Sequence, residues 1–205
     1  MKRFQATREE VESLCRRAPE FAEIAARTEI PSFECCEDLF EALVQSIISQ
    51  QLAVRAAEAI SLRVEELLGV ISAENLLAAD FDSLRNCGLS FRKIQYLRGI
   101  AEAQRSGEID FTALAGMSDA EIVSRLVRLK GVGVWTAEML LIFSLGRPDV
   151  LSFSDLGIRR GIMLLHNLPS LSSEEFEKFR RRYSPHGTLA SLYLWRIKDG
   201  GLAVK

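Results

Sequence analysis

Leu129-Lys130-Gly131-Val132-Gly133-Val134-Trp135-Thr136-Ala137 lies between two helix-period segments, one over 118–129 and one over 134–145. Two glycines flank one aliphatic residue. Glycine permits positive φ there and leaves no Cβ in the way of a foreign backbone. Val132 can then turn inward and pin the two helices together. A helix that starts after Gly133 directs its first N–H groups outward from the turn. Such groups hold phosphate without sequence preference. By itself the pattern is also that of a plain helical turn with a glycine C-cap, so the neighbouring residues decide between the two.

Outward from the hairpin, the helical period continues through almost the whole chain. Helices are expected near 7–17, 19–28, 37–50, 53–68, 72–79, 90–106, 118–129, 134–145, 155–166, 173–182 and 187–198, and strictly alternating strand patterns are absent. Thr7-Arg8-Glu9-Glu10 and Ser118-Asp119-Ala120-Glu121 read as capping boxes, and Ser72 as an N-cap. Pro31–Cys36 and Gly146–Ser154 are the candidate turns between lobes.

Composition narrows the class. The chain has 205 residues, 48% hydrophobic and 26% charged, enough to bury a sizeable core. No apolar run is long enough for a membrane span, and the first residues are charged, so neither a membrane anchor nor a secretory signal is expected. The four cysteines, Cys15, Cys35, Cys36 and Cys87, lack metal-ligand spacing and suit a reducing compartment. A formal net charge of −2 argues against binding nucleic acid through a global basic field. Any such contact has to be local, through helix N-termini and a few cationic side chains. Asp155, which follows Ser154 at the start of a helical segment, reads on local grounds as an N-cap.

Leu129, Gly131, Val132, Gly133, Thr136 and Ala137 match, position by position, the hairpin of the helix-hairpin-helix (HhH-GPD) DNA glycosylase superfamily, which this stretch resembles. Lys130 replaces the usual proline. Bifunctional members carry a catalytic lysine just before the threonine. Trp135 stands there, as in the 3-methyladenine DNA glycosylase II (alkylbase) branch. The family's essential aspartate lies about twenty residues further on, and residue 155 is aspartate, twenty beyond Trp135. The resemblance therefore implies hydrolysis of an N-glycosidic bond without a Schiff base. A carboxylate near C1′ would stabilise oxocarbenium character and orient water. An alkylated purine already carries positive charge and leaves readily, so one carboxylate suffices where O-glycosidases use two.

The resemblance extends over about residues 38–198 and assigns further roles. Trp135, Met139 and His186 would line the base pocket, with Met139 and His186 standing where aromatics are usual and Gly187 where arginine is usual. Gln50 and Gln51 would probe the duplex, Leu89 would fill the gap left by the flipped base with Phe91 as the alternative wedge, and Arg92 and Lys93 would reach phosphate. Gly131, Val132, Gly133 and Thr136 would form the phosphate-binding hairpin, and the carbonyls of Gly131 and Gly133 could hold a structural Na⁺ or K⁺. Trp195 and Tyr193 are expected in the core.

The fold implied is all-α, with two helical lobes and the active-site cleft between them. One lobe would span 38–140, including the helix-hairpin-helix at 118–145. The other would combine 1–37 with 141–205 and carry the aspartate, and the extra N-terminal β-domain of some members would be missing. The function implied is a monofunctional glycosylase that removes 3-methyladenine- or 7-methylguanine-type bases from double-stranded DNA. It would act as a monomer, with no membrane or obligate protein partner and no cofactor beyond the hairpin cation, and would be cytoplasmic and nucleoid-associated if the source is bacterial or archaeal. Two alternatives stay open at this point: a glycosylase for deaminated or oxidised bases, and a non-catalytic helix-hairpin-helix DNA-binding module.

Overall fold

The structure is a computed structural model describing residues 2–201. It comprises two compact units, Cys36–Leu140 and a second made of Met1–Cys35 with Leu141–Lys205. No helix among the described residues is long and apolar enough to cross a membrane.

The N-terminal part of the discontinuous unit contains β1 (Arg3–Gln5), α1 (Arg8–Arg17), a 3₁₀ turn at Pro19–Phe21, α2 (Ala22–Arg27) and β2 (Ser32–Glu34). Thr7 and Glu10 form the expected capping box of α1. Two expectations are corrected here. The two strands pair antiparallel, with Phe4 opposite Phe33; at three residues each they are too short to show alternation. The single helix expected over 19–28 is instead a 3₁₀ turn followed by α2. Pro19 disfavours helical geometry at the residue before it, and Ala18 sits at φ −139°.

The continuous unit contains α3 (Leu39–Ser49), α4 (Val54–Leu68), α5 (Ala73–Ala78), α6 (Phe81–Asn86), α7 (Phe91–Arg105), α8 (Phe111–Leu114), α9 (Asp119–Leu126) and the start of α10 (Val134–Phe143). Here α7 packs against α3, α5 and α6. It buries Ile94, Leu97, Ile100 and Ala101 completely or nearly so. Each large aliphatic side chain removed from water contributes about 1.5–3 kcal/mol. A capping hydrogen bond contributes about 1 kcal/mol. Packing therefore holds α7, and the Ser90 cap decides where it starts. α6 and α8 were not expected. Each has a single legible cue, the caps Asp80 and Asp110, over a window too short for a helical period.

After α10 the discontinuous unit resumes with α11 (Leu156–Leu165), α12 (Ser173–Tyr183), α13 (Gly187–Arg196) and a π-type turn at Ile197–Gly201. Its core joins Leu14, Phe21 and Ile24 to Ile158, Ile162, Phe176, Tyr183, Tyr193 and Leu194.

A titratable cluster edges this core. His166 caps the end of α11. Its Nε2 lies 2.7 Å from the Tyr183 hydroxyl, and its Nδ1 lies 3.6 Å from Glu20, which also pairs with Arg182 at 2.8 Å. Burial pulls the His166 imidazole below its ordinary value, and Glu20 offsets this only in part. The unfolded chain thus binds this proton more readily than the folded one. The stability that neutral His166 supplies is present above the unfolded value near 6.5 and is lost as pH falls through the lower folded value. Thermal melts should show the gap in Tm between wild type and His166→Gln narrowing from pH 7.5 to pH 5. A constant gap would refute this.

Candidate active site

The hairpin begins where α9 tightens. Arg128 and Leu129 donate three residues back, to Arg125 and Leu126, a 3₁₀ ending that turns the chain sharply. The Val132 N–H returns to the Leu129 carbonyl at 3.1 Å, and Val132 is buried, pinning the turn from inside. Gly131 adopts φ +90°, and a Cβ there would lie 2.4 Å from the Tyr96 ring of α7. Both the backbone and the packing therefore demand glycine. Gly133 differs. Its φ is not left-handed, and among the described residues nothing lies within 4 Å of where its Cβ would be. The protein's own packing gives no reason for glycine at 133, whereas a foreign backbone against the helix start would. Trp135 is 40% exposed at the beginning of α10.

The other unit holds the carboxylate. Asp155 caps α11, its Oδ1 accepting the Ile158 N–H at 2.7 Å. The same oxygen accepts the Trp195 indole Nε1–H at 3.0 Å. Asp155 is 8% exposed. A charge-assisted bond to a nearly buried carboxylate is worth about 1.5–3 kcal/mol, enough to hold one rotamer. Capping and a chemical role are thus compatible in one residue. Trp195, expected in the core, is the second donor to Asp155. No local signal marks this, because the two residues are forty apart. Gly157 makes the approach possible, since a Cβ there would come within 2.9 Å of the Trp195 ring and 3.1 Å of Asp155 Oδ1. Trp195 is itself seated by a run of rings. Phe143 stacks on it at 5.7 Å, Phe33 meets Phe143 at 5.1 Å, and Phe4 stacks on Phe33 at 5.0 Å. The short sheet β1–β2 is thereby the footing of the indole.

The segment leading to Asp155 is stitched to the start of α13. Asp149 accepts the Gly187 N–H at 2.9 Å and the Ser184 hydroxyl at 2.6 Å. Thr188 accepts the Val150 N–H, and Ser191 donates to the Val150 carbonyl. Asp149 thus caps α13 from another part of the chain. This accounts for glycine at 187, where a Cβ would lie 2.8 Å from the Asp149 carboxylate and 3.0 Å from the backbone of residues 149 and 150. His186 precedes the helix, with Nε2 2.9 Å from the Ser13 hydroxyl of α1.

Several expected roles change. Leu89 is only 3% exposed, so it is a core residue and not a protruding wedge; Phe91, 54% exposed, is the apolar side chain presented at that turn. Thr136 is 3% exposed, so its side chain packs inside and only its backbone could serve DNA. The Gln50 side chain is turned to its own protein, donating to the Gly131 carbonyl at 3.0 Å. Lys93 also faces inward, donating to the carbonyls of Ile48 and Gln50. Gln51 is exposed and Met139 half-buried. The carbonyls of Gly131 and Gly133, the ones proposed for a monovalent cation, each accept one hydrogen bond and keep a second lone pair. The first accepts Gln50 Nε2–H at 3.0 Å and the second accepts the Ala137 N–H at 3.1 Å.

Residues 44–185 match the HhH-GPD superfamily of base excision DNA repair proteins, and the chain belongs to it. It is 41% identical over 162 residues to DNA-3-methyladenine glycosylase 1 of Schizosaccharomyces pombe, covering 77% of this chain and 71% of that one. Among solved structures, it resembles a DNA-3-methyladenine glycosidase from Bacillus halodurans with a TM-score of 0.86 and 34% identity, over 98% of this chain and 94% of that one. It also resembles the S. pombe 3-methyladenine DNA glycosylase in complex with abasic DNA, with a TM-score of 0.82 and 34% identity, over 96% and 98% of the two chains.

Proposed function

We propose that this protein is a DNA glycosylase of base excision repair that hydrolyses the N-glycosidic bond of an alkylated purine flipped from duplex DNA. The observation that carries this is Asp155, a nearly buried carboxylate whose Oδ1 is held by the Ile158 N–H and the Trp195 indole. As the C1′–N bond breaks, its electron pair leaves with the base, whose alkyl-derived positive charge is neutralised. The carboxylate stabilises the oxocarbenium character on the sugar and orients water. The water oxygen bonds to C1′ and its proton passes to Asp155 or solvent, leaving an abasic site. The hairpin holds the backbone through helix N-terminal N–H groups, which suits a chain of net charge −2. The similarity to 3-methyladenine glycosylases supports an alkylated base as substrate.

The finer reading is hydrolysis alone. Trp135 offers no amine where a Schiff base would form, so strand cleavage by β-elimination should be absent. The protein is proposed to act as a monomer on damaged double-stranded DNA. Trp135, Met139 and His186 are the side chains proposed to face the base.

Single-turnover base release from duplexes carrying one alkylated, one deaminated or one oxidised base tests this. Release from the alkylated duplex, with strand breaks appearing only after hot alkali, is expected. Release confined to the deaminated or oxidised duplexes would move the substrate class. Tight binding without release from any of them would leave a DNA-binding module.

A further inference from the structure

Two features of the Cys36–Leu140 unit, the loop after α3 and the glycine hairpin, converge on the first turns of α7. The loop that ends α3 is a β-turn, with the Leu52 N–H returning to the Ser49 carbonyl at 3.2 Å. Gln50 at φ −51°, ψ 130° and Gln51 at φ +58° give it the type II form, which favours glycine at the second central position. Gln51 therefore holds a left-handed backbone that its side chain disfavours, and something else must stabilise the turn. Lys93 does so. Its ammonium lies 2.6 Å from the Ile48 carbonyl and 2.7 Å from the Gln50 carbonyl. These belong to the end of a helix, where carbonyls lack intrahelical partners and a cation is favoured. Burial draws the Lys93 ammonium below its ordinary range. The partners are neutral carbonyls, so this half-buried cation serves geometry and not charge pairing.

Tyr96, three residues further along α7 and on the same side of that helix, is the ring against which Gly131 packs. Gln50 closes the arrangement by donating to Gly131 at 3.0 Å. Loop and hairpin are thus joined to each other and to one helix. Around them Gln51, Leu52, Val54 and Phe91 are exposed, and apolar side chains of this kind fill unstacked steps in a duplex.

We propose that Lys93 is a positioning residue for base flipping: by holding the C-terminal end of α3 and the strained Gln51 turn in register with the hairpin, it presets the loop that enters the duplex. This rests on the glycosylase reading above. The role differs from phosphate contact, which the lysine's position in the sequence suggests. It also separates two steps, because a preset loop matters for extruding a paired base and not for cleaving one already extruded.

The experiment compares wild type, Lys93→Met and Lys93→Arg at saturating enzyme on 7-methylguanine, either paired with cytosine or unpaired in a single-base bulge. The expectation is that Lys93→Met slows release from the paired site about tenfold or more but from the bulge less than about twofold, since an unpaired base needs little extrusion. Lys93→Arg restores most of the paired-site rate. Equal loss on both substrates would make Lys93 merely structural and overturn the proposal, as would no loss on either. Should Lys93→Met fail to fold, Gln50→Met releases the loop from the hairpin and should show the same paired-site defect. A 2-aminopurine beside the lesion reports unstacking without base release. It should brighten with wild type and Lys93→Arg and stay dark with Lys93→Met; brightening with all three overturns the proposal. This signal judges Lys93 even if wild type releases no base, a result that would sink the glycosylase reading instead.

Discussion

Asp155→Asn slows single-turnover base release by on the order of 10³-fold while leaving the fold and DNA affinity in place. The amide keeps an oxygen where Oδ1 stands, so the Ile158 N–H and the Trp195 indole retain their acceptor. Asparagine caps helices about as well as aspartate, so α11 keeps its start. What is lost is the negative charge that answers the oxocarbenium ion and the base that can take water's proton. The companion variant Trp195→Phe removes one donor and leaves the charge. A hydrogen bond to a charged group is worth about 1.5–3 kcal/mol, which puts the loss at about 10- to 100-fold in rate with half-saturation for DNA unchanged. A binding-only protein would show neither effect, and full activity in Asp155→Asn would require a different catalytic group.

The second prediction separates the two hairpin glycines. Gly131→Ala forces an alanine to φ +90° and drives its Cβ to 2.4 Å from the Tyr96 ring. Left-handed backbone costs an L-residue about 1–2 kcal/mol, and overpacking adds about 1–3 kcal/mol. Stability should therefore fall by about 2–5 kcal/mol, with DNA binding falling alongside. Gly133→Ala does the reverse. Its Cβ meets nothing within 4 Å among the described residues, so stability should stay level or rise by about 0.4–1 kcal/mol through the unfolded state. DNA binding should nevertheless weaken about tenfold or more, because the new methyl occupies the surface where phosphate would meet charge-assisted N–H donors. Melting curves and equilibrium binding to undamaged duplex check both variants. Unchanged affinity in Gly133→Ala would remove the hairpin from the DNA interface.

Much of this protein is legible in its sequence because the cues are local. Helix starts follow from caps a few residues away, as at Thr7 and Glu10 or Ser118 and Glu121. The hairpin at Leu129–Ala137 is a contiguous run whose glycines and inward Val132 carry their own steric reasons. Asp155 is marked locally only as an N-cap, and its distance from Trp135 gains meaning through the resemblance to the HhH-GPD family. The sequence by itself thus determined the helical class and the hairpin turn, and it pointed to the carboxylate through the family resemblance.

The tertiary structure decided which group each side chain serves, because those partners lie far apart in the chain. Trp195 meets Asp155 across forty residues, and Asp149 caps a helix that begins at Gly187. Lys93 reaches back to Ile48, and Gln50 forward to Gly131. Leu89 and Phe91 show the same limit on a smaller scale. Both are apolar and two residues apart, yet one is buried and the other exposed, because only the packing of α7 decides which way that turn faces. Hydrophobic period and capping act over one or two turns of helix. A hydrogen bond that holds a carboxylate or straps a loop forms only once the core has brought its two ends together.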